Sequence, residues 1–426
     1  MKHWKAILAL LMLAAMVITS CAPAPEPTAT PKAAVEKTIT IGYTASLTGS
    51  LEVSAGRQAK GLKLWMEQVN EAGGVVLSDG TIVKFKAATY DDESNKERVQ
   101  ELYTRLATED NADLLISPYS SGLTAAAAVI SEQYGKVMIT TGAASDEAYK
   151  QGYTQIFQIY TPASRYMVGA VDLLAHLDPS VKKIAVVHEN DKFSTDVANA
   201  TQEYAGSKGY EIVLFEGYDS ATTDFGPFIN KIVDSGAEAI MGGGHFMDGS
   251  TFARQAYEKG VDIKFFAILV APPEPDFAQL GEAAYGIIGP SQWEPLAAFT
   301  AESAKEAGLE WYGPSAEYFI QTYEAAYDEE PSYHSAGGYA AGVILQKAIE
   351  DADSTDSAAI KAALDKMQVL TFYGGIKFDI TPEAHGLQIG HSMVYIQWQK
   401  DGAGNLMKQV VWPLEGATAE TIYPIP

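Results

Sequence analysis

The chain of 426 residues has one cysteine, Cys21. No disulfide can form within it, and zinc sites built from cysteine pairs are excluded. Basic residues are few, 30 Lys and Arg against 54 Asp and Glu, for a formal net charge of −24. A surface this acidic repels phosphate backbones, so nucleic acid is not an expected partner. The seven histidines are scattered, with no His-Glu-x-x-His, and neither a Gly-x-Ser-x-Gly nor a Walker lysine occurs. Gly242-Gly243-Gly244 resembles a dinucleotide turn, but Met247 breaks the Gly-x-Gly-x-x-Gly spacing. No catalytic residue, cofactor or metal is therefore expected. Beyond the N-terminal stretch, no segment has the roughly 18 consecutive apolar residues that a membrane span needs.

What is present begins at the N-terminus. Lys2 and Lys5 precede an apolar run from Ala6 to Ile18, followed by Ile18-Thr19-Ser20-Cys21. A basic front, a short apolar segment and small residues at its end read as a secretory signal over residues 1–20. The sole cysteine at this place resembles the lipobox of bacterial lipoproteins. That resemblance implies cleavage before Cys21 and lipidation of its thiol. Residues 21–37 are rich in Pro, Ala and Thr, with Val35 the only large apolar side chain. Such a segment buries too little surface to offset its chain entropy and is expected to be a disordered tether. The expected location is extracytoplasmic, held to the lipid bilayer of a bacterial cell membrane through Cys21.

The remainder is 47% apolar by whole-chain composition, enough for large cores. Strand and helix patterns alternate along it. Apolar runs at Ile39–Ala45, Val83–Tyr90, Ala112–Ser117 and Val137–Thr141 are separated by helical periodicity at Gln58–Ala72, Lys96–Ala107 and Leu123–Tyr134. A second series follows, with strands at Lys183–His188, Glu211–Glu216, Ala237–Gly242 and Lys264–Leu269 between helices at Arg165–Leu177, Thr195–Lys208, Phe225–Ser235 and Gly249–Lys259. This alternation implies an α/β fold with parallel sheets covered on both faces. Two such series in tandem suggest two Rossmann-like lobes. Helices are expected at Ala297–Ala307, Ser315–Tyr327, Ala336–Asp351 and Ser357–Met367, and late strands at Met393–Gln399 and Lys408–Trp412. If the helices return to the first lobe and the late strands to the second, the chain crosses three times. The expected division is 38–160 plus 290–373 for lobe 1, and 161–289 plus 374–426 for lobe 2. Three crossings make a hinge, and a hinge makes a closing cleft.

Several local sequences fit this frame: Ile41-Gly42-Tyr43-Thr44-Ala45-Ser46-Leu47-Thr48-Gly49, Asn70-Glu71-Ala72-Gly73-Gly74-Val75, Tyr90-Asp91-Asp92 with Asn95-Lys96, and Ser117-Pro118-Tyr119-Ser120-Ser121-Gly122. With the element order they resemble the type I periplasmic binding proteins, most closely the leucine/isoleucine/valine-binding branch that serves ABC importers. The resemblance runs from Thr38 to the C-terminus. Asp91 and Asp92 are read as helix-entry caps. Ser120, Ser121 and Gly122 can cap the helix that follows. They can also bind an anion at its free amides, because the carboxyl ends of parallel strands face the ligand crevice. The resemblance implies that Ser121 binds a carboxylate, with Gly142 and Ala143 as backbone contacts and Ser145 as the nearest hydroxyl. It sets Phe193 and His245 at positions that cover the ligand. Phe193 reads equally as a core-edge side chain.

At the position where amino-acid binders of the branch hold the ammonium with an acid, this chain has Leu269; Asp248 and Glu274 lie nearby in sequence. Gln292 and Trp293 fall where the chain should recross, and Tyr333, His334 and Tyr339 flank a helix start. Each of these is either a cleft-rim residue or ordinary core. The resemblance implies a non-enzymatic binding protein that captures a small solute, an amino acid or a related carboxylate, for ABC permease and ATPase subunits. A receptor serving a separate membrane sensor is the alternative.

Overall fold

The computed structural model describes residues 35–297 and 299–426. The expected signal, Cys21 and most of the expected tether lie outside the described residues. Among the described residues no helix is long and apolar enough to cross a membrane.

The first sheet is built from β1 (Glu36–Ala45), β2 (Val75–Val76), β3 (Ile82–Asp91), β4 (Leu114–Ile116), β5 (Met138–Thr140) and β6 (Ile156–Gln158), in the spatial order β2-β3-β1-β4-β5-β6. All neighbours run parallel except β2 with β3. β1 starts at Glu36, paired to Ile82, so the end of the expected 21–37 tether is strand. Between the strands lie α1 (Glu52–Glu71), α2 (Lys96–Thr108) and α3 (Ser121–Tyr134). Ile41, Val83 and Ile139 face one core, while Leu115 and Met138 face another with Val99, Leu106 and Ala127. Two buried faces explain why these strands read as continuous apolar runs rather than as alternation.

The chain then passes to the second lobe. Its sheet contains β7 (Lys183–Glu189), β8 (Glu211–Tyr218), β9 (Ala239–Gly243), β10 (Phe265–Ile268) and β11 (Ile288–Ser291). The helices are α4 (Val168–Leu177), α5 (Lys192–Ser207), α6 (Gly226–Ser235) and α7 (Phe246–Glu258). After β11 the chain returns to the first lobe. There α8 (Ala301–Glu306), α9 (Ala316–Tyr327), α10 (Tyr333–Ala352) and α11 (Ser357–Leu364) accompany a small sheet of β12 (Glu310–Trp311), β13 (Gln368–Thr371) and β14 (Gly374–Lys377). Phe319, Ile344 and Phe372 share the core of Ile39 and Ile41, which fixes these helices to the first sheet. α10 lies close against α1. A Cβ on Gly61 would meet the Ser335 carbonyl at 1.9 Å, and one on Gly338 would meet the Gln58 carbonyl at 2.0 Å. Hydrogen at these positions is what lets the two backbones approach.

The last crossing returns the chain to the second sheet as β15 (Val394–Lys400) and β16 (Leu406–Trp412), for the order β16-β15-β11-β10-β9-β7-β8. Both late strands pair antiparallel. The sequence divides the lobes at 373/374. In the structure that position is the turn of the β13–β14 hairpin, and Phe378 still packs in the first core. The ladder therefore carries the first lobe beyond Tyr373.

The three crossings are tied together by buried amides. Gln292 Oε1 accepts from Thr161 N at 2.8 Å, and its carbonyl pairs with His391 Nε2 at 2.7 Å. Gln388 Nε2 donates to the Ile159 carbonyl at 3.3 Å. In each sheet the strand order reverses direction once, at β1/β4 and at β7/β9, and open α/β sheets bind ligands at such points. The residues leaving these strands are Pro118–Ser121 in one lobe, and Asn190–Asp191 and Gly244–His245 in the other.

Candidate functional site

A narrow cavity lies where the two switch points face each other; its walls stand so close that only about 10 Å³ is open, room for little more than one water. Tyr119, Ser120, Gly142, Ala144, Tyr160, Tyr333 and His334 line it from the first lobe, and Tyr166, Phe193, His245 and Val270 from the second.

The first-lobe wall begins at the N-terminus of α3. Ser120 occupies the cap position, yet its side chain makes no cap bond, which leaves the first amides of the helix to other partners. Ser121 Oγ accepts from Ala144 N at 3.0 Å and Ser145 N at 3.1 Å. It locks the loop after β5 against α3, and its hydroxyl proton remains to be donated. Gly142 has φ 71°, and a Cβ there would strike Gln58 Oε1 at 2.2 Å and the Tyr119 ring at 2.7 Å. Ala144 lines the cavity while the Ala143 carbonyl accepts from Gln158 Nε2 at 3.1 Å. Ser145 is directed across the cleft, where its hydroxyl donates to Asp196 on α5.

The second-lobe wall centres on His245. Its Nδ1 meets the Tyr119 hydroxyl of the opposing lobe at 2.7 Å, and its Nε2 meets Asp191 Oδ2 at 3.1 Å. Burial opposes charge on this ring, but the Asp191, Glu189 and Asp248 carboxylates outweigh it and raise its pKa to about 9. At neutral pH His245 is an imidazolium that donates from both nitrogens. Burial, with the neighbouring Asp248 and Asp191 carboxylates, pushes Glu189 up to about 7 against the pull of His245. Asp191 is buried too, but the His245 charge holds it below the usual carboxylate range. Glu189, Asp191 and His245 each present one ligand atom within 4.8 Å of the others. A cation bound there would have to displace the His245 Nε2 proton.

The expected distal acid is absent from the cavity wall. Leu269 is buried in the core of the second lobe, and Val270, at φ 54°, is the residue that faces the cavity. Asp248 is occupied by the His245 backbone N–H at 2.8 Å and by the Tyr218 hydroxyl. Glu274 is wholly buried between His334 and Arg57. Neither acid is free to hold an ammonium.

Two of the residues read either as cleft rim or as core stand in the core. Trp293 packs between Phe319 and Phe372 in the first-lobe core, because the recrossing chain enters that core directly after Gln292. Tyr339 lies against the same two rings, with its hydroxyl on Gln68 Oε1 at 2.6 Å. Tyr160 and Tyr166 escaped the sequence reading. They flank the first crossing, and the sequence signal available for them was their proximity to that crossing. Phe193, read either way in the sequence, does both: it lines the cavity and packs edge-on against Tyr166 at 5.0 Å.

The periplasmic binding protein family model matches residues 38–403. The Leu/Ile/Val-binding protein homolog 7 of Brucella melitensis biotype 1 is 25% identical over 394 residues, covering 91% of this chain and 94% of that one. Among solved structures, the branched-chain amino acid transporter substrate-binding protein LivJ of Streptococcus pneumoniae, in complex with isoleucine, aligns with a TM-score of 0.71 at 22% identity, over 88% of this chain and 99% of that chain. A solute-binding protein of an ABC transporter from Rhodopseudomonas palustris HaA2, in complex with p-hydroxybenzoic acid, aligns at 0.74 and 20% identity, over 92% and 98%. The fold is shared with both.

His245 sets a pH dependence. Its folded pKa, about 9, lies above its ordinary 6.5, so its contribution is complete below about 6.5 and is lost as pH rises through 9. The raised Glu189 works in the same direction. The melting temperature is expected to fall between pH 6.5 and 9, and His245→Gln to flatten that decline. A decline of equal slope in the variant would refute the assignment of an imidazolium at this position.

Proposed function

The chain belongs to the periplasmic binding protein family, with the type I fold of its Leu/Ile/Val-binding homologues, and on that premise we propose that it captures a small organic carboxylate between its lobes and delivers it to an ABC importer. The observation that carries this reading is the uncapped N-terminus of α3, which opens on the cavity at Ser120 with Ser121 directly behind it. Free amides at a helix start favour an anion. Ser120, Ser121, Gly142, Phe193 and His245 are the residues we assign to solute binding, with Ser145 closing the cleft over it.

The distal wall favours a solute without an ammonium. Val270 supplies apolar surface there, while Asp248 and Glu274 are already paired. The aromatic lining of Tyr119, Tyr160, Tyr166, Phe193 and Tyr333 suits a branched aliphatic or aromatic tail. The same range is represented among the fold neighbours, one holding isoleucine and another p-hydroxybenzoic acid. Calorimetry with leucine, its deaminated keto acid and benzoate tests the reading. A carboxylate lacking the ammonium should bind at least about tenfold tighter than leucine, a difference of 1.4 kcal/mol or more. Binding of the amino form alone would overturn this preference.

Lipid anchoring through Cys21 is part of the same proposal, supported by the N-terminal sequence. Cys21→Ser should leave an uncut precursor or a released protein without attached lipid, as read by intact mass and membrane fractionation. A mature-size variant that still partitions wholly with membranes would contradict it.

A further inference from the structure

His334 is wholly buried and lines the cavity, and its two ring nitrogens differ in their surroundings. Nδ1 pairs with Glu274 Oε1, while Nε2 has no protein partner. It is one of sixteen buried side-chain atoms without a partner among the described residues, and its place on the cavity wall lets a bound molecule pair with it. Glu274 is also wholly buried, and Arg57 Nε stands 3.3 Å from its second oxygen. Arg57 is fixed in turn by Asp276 at 3.0 Å and by the Glu330 carbonyl at 2.8 Å.

The protonation pattern follows from these neighbours. Burial pushes Glu274 up, but His334, Arg57 and Lys408 outweigh it and hold the carboxyl below its usual range. An ionised carboxylate only accepts, so the proton of the pair sits on His334 Nδ1. Burial, with the Arg57 and His245 charges, keeps the ring below its ordinary pKa despite Glu274. A neutral imidazole with its proton on Nδ1 carries a bare lone pair on Nε2.

Arg57 and His334 belong to the first lobe and Glu274 to the second. The carboxylate therefore reaches the imidazole only when the lobes meet. We propose that cleft closure, by bringing Glu274 onto His334, fixes the imidazole tautomer so that Nε2 becomes a hydrogen-bond acceptor selecting solutes that carry a hydroxyl or N–H donor. The inference rests on the carboxylate reading above and deepens it: the N-terminus of α3 takes the anion, and His334 reads a donor on the same molecule. Glu274 and Arg57 act as positioning residues and need not touch the solute. Selection is thereby tied to closure, because in the separated lobes nothing on the second lobe chooses which nitrogen of His334 holds the proton.

The test pairs hydroxylated acids with their deoxy counterparts, 4-hydroxybenzoate with benzoate and 2-hydroxy-4-methylpentanoate with 4-methylpentanoate, by calorimetry on the full chain. In at least one pair the hydroxylated acid should bind at least about tenfold tighter, since a site built around an acceptor penalises a ligand that leaves it unmatched. His334→Phe should reduce that preference to within about twofold, and His334→Gln, which keeps an acceptor, should restore part of it. Nitrogen NMR of labelled histidine supplies a readout independent of affinity. It should show Nε2 of His334 unprotonated in the compact state and a mixture of tautomers in Glu274→Gln. Equal affinities within both pairs, or a protonated Nε2 in the compact protein, would overturn the inference. If no acid of either kind binds, the carboxylate reading fails, and the nitrogen spectrum still decides this one.

Discussion

A buried carboxylate lies at the boundary between the two lobes and draws its partners from across it. Glu274 has no exposed surface; its counter-charge, Arg57, and its hydrogen-bond partner, the neutral His334, come from the other lobe. Removing an ion from water costs several kcal/mol, and only close pairing offsets it. When the lobes part, water resolvates the carboxylate and the guanidinium. When they meet, pairing replaces hydration. A solute that binds the closed arrangement better shifts the balance toward it by that difference in affinity. Lys408, buried beside Glu294 at 3.1 Å and reaching Glu330 at 3.6 Å, repeats the arrangement near the hinge.

The cavity is the complement of this boundary. Tyr119 and His245 join across it, as do Ser145 and Asp196, so the walls are held by polar contacts and lined mostly by aromatic rings. The α3 N-terminus and the His334 lone pair stand on the first-lobe wall, and His245 and Val270 on the second. Behind the cavity the crossing chains are tied together, since Gln292 and Gln388 bond across neighbouring crossings.

Much of this was legible in the sequence for identifiable reasons. The α/β alternation could be read because the central parallel strands β4, β5, β9 and β10 are buried on both faces, and the tandem lobes followed from its repetition. The loop at Ser120–Ser121 was read as a cleft loop because strand ends border the crevice in such sheets, and His245 because of the family resemblance; Ser120 and His245 line the cavity, while Ser121 lies behind its wall. The small sheet of β12, β13 and β14 was missed, since strands of two to four residues carry no periodicity. Trp293 was misplaced because a tryptophan at a crossing looks the same whether it enters a core or a cleft. The pairing of Glu274 with His334 joins residues sixty positions apart and depends on how the lobes meet, which no local pattern records. Leu269 was rightly seen to lack the acid, but the residue facing the cavity is its neighbour Val270.

Closure is the claim on which the rest depends, and small-angle scattering measures it directly. The radius of gyration of the full chain should decrease when a carboxylate shown to bind by calorimetry is added to saturation. An unchanged radius with that solute bound would contradict a hinged, closing cleft.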